Sequence, residues 1–85
     1  NYPNPFNPTT TISFDLPTSD FVSLKIFDVQ GKQIITLVNQ KLTAGVHHYL
    51  WNGRDENNNL VSSGIYLCTI KTDAFHATQK MVLVK

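Results

Sequence analysis

Residues 11–16 read Thr-Ile-Ser-Phe-Asp-Leu, a strict alternation of polar and apolar side chains. A period of two built from β-branched and aromatic residues is typical of a strand that buries one face. Ile12, Phe14 and Leu16 would form that buried face. Residues 22–26, Val-Ser-Leu-Lys-Ile, repeat the pattern after a short turn. The two segments therefore predict two half-buried β-strands.

The rest of the chain continues as short strands separated by turns. The further strand-like segments are residues 33–38, 47–51, 60–61, 65–71 and 77–84. The first of them has consecutive apolar residues, which predicts a β-bulge, and Leu42 would anchor the polar connection at residues 39–43 that follows it. No segment keeps a helical period. About seven strands predict an all-β fold, an immunoglobulin-like antiparallel β-sandwich with Trp51 and Phe14 at its centre.

Glycines mark the turns between these strands. Asp28 opens a tight turn that Gly31 closes, and we expect Gly31 to have a positive φ angle. Gly45, Gly53 and Gly64 mark three further turns. The spacing of the turns supports the prediction of many short strands.

Composition narrows the class of protein. The chain has 85 residues, 41 % hydrophobic and 15 % charged, which predicts one small domain: an extended lead-in at residues 1–9 and the sandwich at residues 10–85.

The formal net charge is +1 and no basic run occurs, so we expect no nucleic-acid partner. One cysteine excludes an internal disulfide, and no apolar stretch could span a membrane. Because the chain begins at Asn1 without a signal peptide, we expect it to be part of a longer protein.

Four motifs follow one another along the chain. The first is the proline-rich opening, which contains Pro3, Asn4, Pro5, Phe6, Asn7 and Pro8. The others are the Asp28-x-x-Gly31 turn, Ala44-Gly45-x-His47 leading to Trp51-Asn52-Gly53, and Ser63-Gly64-Ile65-Tyr66 followed by the terminal strand. Together these motifs resemble the type A C-terminal sorting domain of the type IX secretion system. The resemblance covers the whole chain.

This resemblance implies a non-catalytic domain that needs no cofactor and addresses a larger exported protein. Its partners would be the outer-membrane translocon, a sortase-like peptidase that cleaves upstream of the domain, and the N-terminal cargo of the parent protein. The cargo would cross the periplasm and reach the cell surface or the extracellular space. Lys85 would end the parent protein.

We expect the secretion machinery to recognise the terminal strand as the sorting signal. It contains Lys80, Met81, Val82, Leu83, Val84 and Lys85. The strand is apolar on both faces, and one sheet can bury only one of them. A receptor could therefore contact Val82 and Val84, or pair with the edge of the strand. The simpler alternative is that these residues only close the sandwich.

The asparagine-rich loop is a weak calcium candidate. Asp55, Asn57 and Asn59 place oxygen atoms at alternate positions, as calcium-binding loops do. The loop lacks the acidic residue that closes a complete calcium loop, and an Asx turn explains the same residues. We therefore expect no metal.

Histidine and cysteine chemistry is not expected. His47 and His48 are neighbours in a strand, so they point to opposite faces and cannot bind one metal together. His76 is far away in sequence. Cys68 alternates with apolar residues, which is typical of a buried thiol without a catalytic role.

Two alternative functions fit the same sequence. One is a structural immunoglobulin-like module similar to that of the flagellar hook-capping protein. The other is a carbohydrate-binding accessory domain of a secreted enzyme, with exposed aromatic rings as a sugar platform. The candidate rings are Tyr2, Phe21, Phe27 and Phe75.

Overall fold

The structure, a computed structural model, describes residues 9–84 of the chain and has six β-strands and no helix in that range. They are β1 (Thr10–Leu16), β2 (Asp20–Asp28), β3 (Gln33–Leu42), β4 (Gly45–Trp51), β5 (Gly64–Lys71) and β6 (His76–Leu83). The predicted all-β class is confirmed. The motif residues of the proline-rich opening lie outside the described residues.

The strands form two antiparallel sheets that share one core. The smaller sheet pairs β1 with β4, and the larger has the strand order β3-β2-β5-β6. The sheets bury alternate residues against each other, as expected for an immunoglobulin-like sandwich. The buried core residues are Ile12, Leu16, Val22, Leu24, Ile26, Ile34, Val38, Leu42, Trp51, Tyr66, Cys68, Ile70, Met81 and Leu83.

The expectation of about seven strands is too high by one for the described range. Leu60 makes only a single β-bridge with Arg54, and the Val61 N–H donates to the Gly53 carbonyl at 2.9 Å. Residues 54–60 fold into a tight turn around Asp55, so the bridge between Leu60 and Arg54 does not extend into a longer β-ladder. The short strand predicted at residues 60–61 is therefore wrong.

β3 contains the predicted bulge and is longer than predicted. Its pairing with β2 shifts register twice, first after Leu24 and again after Ile26. The strand continues to Leu42, so the polar connection predicted at residues 39–43 is wrong. Leu42 is buried while Lys41 is exposed, so this polar segment is a half-buried strand whose outer face is hydrophilic.

The centre of the core is built around Trp51. Its side chain is 1 % exposed, and its ring packs edge-on against Tyr66 with ring centroids 5.1 Å apart. Phe14 is not at the centre: it is half-buried and stacks on His47 and Tyr49 of β4. A sheet of two strands is too narrow to cover four, so Phe14 lies beside an opening between the sheets.

Candidate functional site

β6 divides its apolar residues between the core and the outside. Met81 is 7 % exposed and Leu83 is 2 % exposed, whereas Val82 is 62 % and Val84 is 72 % exposed. Successive side chains of a strand point to opposite faces, so Val82 lies on the outer face of the larger sheet, and the exposed Val84 follows directly after the end of β6. Lys80 is also exposed. The expected surplus apolar face is therefore present, and its recognition by a receptor stays a prediction.

The outer edge of β6 is open in the described part of the chain. β6 is the last strand of its sheet and pairs only with β5, over eight residue pairs from Gly64↔Leu83 to Lys71↔His76. Among the described strands, β6 has no neighbour on its other side. A strand edge of this kind offers a row of N–H and C=O groups to an added strand.

The opposite edge of the same sheet is partly covered. The Glu56 N–H donates to the Ile34 carbonyl at 3.1 Å, and Glu56 Oε1 accepts the Thr36 N–H at 2.7 Å. The loop after β4 thus occupies the β3 edge at its bulge. Sequence reasoning missed Glu56 because its partner Thr36 is 20 residues away, and no local pattern links the two.

The Asp28–Gly31 turn has the predicted geometry. Asp28 Oδ1 accepts the Gln30 and Lys32 N–H groups, both at 2.9 Å. The Gly31 N–H donates to the Asp28 carbonyl at 3.1 Å, and the φ angle of Gly31 is +90°. A side chain is strained at that angle, which explains the glycine. This motif sets the turn between β2 and β3.

The tryptophan and tyrosine motifs meet in the core. Trp51 Nε1 donates to the Arg54 carbonyl at 3.0 Å, and the Tyr66 hydroxyl donates to the Ser62 carbonyl at 2.7 Å. Both rings therefore bury their carbon atoms while their polar atoms are hydrogen-bonded to loop backbone. Gly53, buried with a φ angle of +75°, completes this corner.

Two motif glycines lie at the beginnings of strands. Gly45 is the first residue of β4 and Gly64 is the first residue of β5. Gly45 has a φ angle of +125°. These two glycines therefore lie at strand ends, and Gly64 is paired with Leu83 of β6.

The asparagine-rich loop is organised around its own aspartate. Asp55 Oδ1 accepts the Asn57 N–H at 2.9 Å and the Asn59 N–H at 3.0 Å. This is the Asx arrangement predicted from the sequence. Among residues 9–84, no group of three or more His, Cys, Asp or Glu side chains could hold a metal ion.

The Cys68 thiol is buried, and the imidazoles of His47 and His48 contact different partners. Burial raises the pKa of the Cys68 thiol to about 11, so little reactive thiolate forms near neutral pH. His47 Nε2 donates to the Thr43 carbonyl at 2.7 Å, and His48 Nδ1 contacts the Ser13 hydroxyl at 2.7 Å. The two histidines point to opposite faces, as predicted.

The aromatic residues considered for sugar binding are dispersed. Phe21 is 48 % exposed, Phe27 is half-buried, and the two are roughly 20 Å apart along β2. Phe75 packs against the core, and Tyr2 lies outside the described residues. The described rings do not form one platform.

Comparison with known proteins shows the family of this chain. The family described as "Secretion system C-terminal sorting domain" matches residues 1–85, and the chain belongs to it. It is the sorting-domain family of type IX secretion. No curated protein matches the sequence significantly.

Solved structures confirm the fold. FlgD from P. aeruginosa is similar with a TM-score of 0.70 and 24 % identity, over 88 % of this chain and 59 % of that one. FlgD from Xanthomonas campestris gives a TM-score of 0.69 and 24 % identity, over 92 % and 57 %. The chain thus spans less than two thirds of either FlgD. At this identity the likeness shows the shared fold alone.

Family membership defines the general setting of the domain. Members are sorting signals for secretion, and such families are in general non-catalytic. Membership in a type IX sorting-domain family implies a type IX secretion machinery, an N-terminal cargo and secretion to the cell surface or the extracellular space. The described residues contain no helix long and apolar enough to cross a membrane.

Proposed function

We propose that this domain is a non-catalytic sorting signal that directs a larger cargo protein across the outer membrane by protein–protein recognition of β6. The observation that carries the proposal is the exposure of Val82 and Val84 beside an open strand edge. The recognition segment comprises Lys80, Met81, Val82, Leu83, Val84 and Lys85. Membership in the sorting-domain family supports the choice of the type IX translocon as receptor.

The chemistry of β6 suits two kinds of contact at once. Burying a fully exposed valine side chain stabilises a complex by roughly 1.5 kcal/mol, so Val82 and Val84 together could contribute about 3 kcal/mol. That is roughly a hundredfold in affinity. Pairing along the open edge adds backbone hydrogen bonds, which give affinity without requiring particular side chains. Met81 and Leu83 hold the strand in place from the core side.

The remaining steps extend the same proposal. Residues 1–85 act as one domain, with residues 1–9 as a lead-in between the cargo and the sandwich. The folded domain meets the translocon in the periplasm, and a sortase-like peptidase cuts upstream of it after export. The motif residues serve the fold, since the described ones build turns and core.

A secretion assay with matched variants tests the recognition step. The full chain is fused to a reporter with a signal peptide, in a host with an active type IX system. Val82→Asp places a charge on the outer face of β6. Val46→Asp is the control, because Val46 is 63 % exposed on β4 of the other sheet. A third fusion lacks residues 81–85.

The expected result is that the wild type and Val46→Asp reach the surface or medium while Val82→Asp stays in the periplasm. Circular dichroism and a melting curve of each purified domain show whether it folds. Equal export of the two folded aspartate variants would refute recognition through Val82. If folded wild-type fusion stays in the periplasm, the structural module that the FlgD likeness suggests becomes the better proposal.

A further inference from the structure

The outer face of the larger sheet carries most of the lysines of this chain. Each of its four strands contributes one, and they are Lys25 on β2, Lys41 on β3, Lys71 on β5 and Lys80 on β6. The sorting proposal uses only the last of them. Four cations on one sheet therefore need a separate explanation.

Strand register places all four lysines on the same face. Residues directly opposite each other on neighbouring strands share a face, as do residues two apart on one strand. The relevant pairs are Phe21↔Lys41, Ser23↔Lys71, Lys25↔Thr69 and Leu67↔Lys80. The alternate residues of the same strands face the core, for example Leu24 and Cys68. The lysine face is thus the solvent side of the sandwich.

Acidic residues are almost excluded from the lysine face. No lysine on it forms an ion pair with another described residue. Asp20 and Asp28, at the ends of β2, pair with the buried Leu42 and Tyr66 on the core side. Two acidic side chains border the lysine face: Asp73, in the turn after β5, lines a shallow depression with two of the lysines, and Glu56 accepts the N–H of Thr36, the β3 residue opposite Lys25. The face therefore has a net positive charge although the whole chain has only +1.

One end of the lysine face is apolar. Val82 pairs with Ile65, which is 44 % exposed, and Leu67 pairs with Phe27 in the next row. Val84 follows just beyond the strand. A flat basic surface with aliphatic side chains at one end has the two features that hold a protein on an anionic bilayer: electrostatic attraction and shallow apolar insertion.

The residue types favour a lipid surface over a protein partner. Protein interfaces are enriched in Arg and aromatic residues and depleted in Lys. Here all four cations are lysines, which act as flexible point charges and do not require a partner of fixed geometry. The strands are about 4.8 Å apart, so the lysine face is roughly 15 Å wide. The Debye length is about 10 Å at 0.1 M salt, so each lysine attracts a closely apposed anionic surface individually, and this attraction weakens as the salt concentration rises.

We propose that the lysine face docks this domain on an anionic phospholipid surface, with Val82 and Ile65 at the apolar end of the contact. The proposal is independent of the sorting function, although Val82 could not contact a lipid and a receptor at the same time. Each lysine near an anionic surface changes the partition coefficient roughly fivefold. Removal of two should weaken binding about 25-fold.

Vesicle flotation with the full chain tests this inference. The probes are vesicles of equal parts phosphatidylglycerol and phosphatidylcholine, vesicles of phosphatidylcholine alone, and phosphatidylcholine vesicles containing lipopolysaccharide, each at low and high salt. The face variant is Lys25→Gln with Lys71→Gln. The control is Lys32→Gln with Thr11→Glu, which lowers the net charge by the same two units away from the face. Melting curves confirm that all variants fold.

We expect salt-sensitive binding to the phosphatidylglycerol vesicles, lost about 25-fold in the face variant and nearly unchanged in the control. Equal weakening of the two variants would mean that only net charge matters and would overturn the proposal. Absence of binding to phosphatidylglycerol vesicles would also overturn it, as would binding to the lipopolysaccharide vesicles alone. A face variant that binds vesicles like the wild type but is not secreted would show that the lysines serve a protein partner instead.

Discussion

Removing the Tyr66 hydroxyl gives a direct test of how the two motifs in the core stabilise the fold. Tyr66→Phe deletes the hydrogen bond from that hydroxyl to the Ser62 carbonyl, which is 2.7 Å long. The ring itself is unchanged, so its edge-on contact with Trp51 at 5.1 Å should remain. The substitution therefore isolates one hydrogen bond.

The expected loss is about 1 kcal/mol of the free energy of unfolding. A neutral hydrogen bond contributes roughly 0.5–1.5 kcal/mol net. An orphaned buried carbonyl can cost up to about 3 kcal/mol, but Ser62 is exposed, so water can replace the hydroxyl at its carbonyl. For a domain of this size, 1 kcal/mol lowers the melting temperature by about 4–8 °C.

Urea unfolding followed by tryptophan fluorescence measures this loss, because Trp51 is the one tryptophan and is 1 % exposed. Tyr49→Phe is the matched control. Tyr49 is half-buried and stacks on Phe14, and its hydroxyl bonds no other described residue. We expect Tyr49→Phe to change the free energy of unfolding by less than about 0.5 kcal/mol.

Two results would contradict the reasoning about Tyr66. Equal stabilities of the two variants would show that the bond to Ser62 contributes nothing. A loss well above about 3 kcal/mol for Tyr66→Phe would show that the hydroxyl also positions the ring, so that packing changes with it.

Two further predictions concern the β3 edge and the buried thiol. Glu56→Ala should speed hydrogen exchange of the Thr36 amide roughly tenfold, because the Glu56 carboxylate accepts that N–H. The control Asn57→Ala, in the same loop, should leave this exchange rate unchanged. Equal exchange rates in the two variants would show that the Glu56 side chain does not protect the β3 edge. Burial raises the pKa of Cys68 from 9.0 to about 11. Because the thiol therefore ionises at a lower pH in the unfolded chain than in the folded one, the stabilisation that Cys68 provides is complete below pH 9 and is lost as the pH rises toward 11. The stability difference between the wild type and Cys68→Ala should therefore shrink over that interval in urea titrations, and a constant difference would contradict the assignment.

Much of the fold was predictable because its signals are local. Period-two alternation in β1 and β2 depends only on which side chains suit a half-buried strand. The turn at Asp28 depends on an aspartate that can accept nearby amides and a glycine that tolerates a positive φ angle. The exposure of Val82 beside the buried Met81 also followed from alternation. The order of the four motifs was enough to indicate the family.

The wrong predictions concern residues whose strand pairing or burial depends on distant parts of the chain. Residues 60–61 have strand-like sequence, but the loop around Asp55 leaves them no partner strand. Phe14 has the same local pattern as Leu16, yet only Leu16 is fully covered, because the smaller sheet has two strands. Burial of an alternating residue is thus decided by how far the facing sheet extends.

The amino-acid sequence alone determines that this chain forms short strands with tight turns and ends in a segment apolar on both sides, because side-chain periodicity and turn chemistry act over a few residues. The sheet order and register depend on the tertiary structure. Within residues 9–84 they leave the β6 edge open, place Glu56 on the β3 edge and gather four lysines on one face, although those lysines span residues 25–80. The physical reason is that strand pairing is long-range: the four lysines lie on four different strands, and only the pairing of those strands brings them to one face.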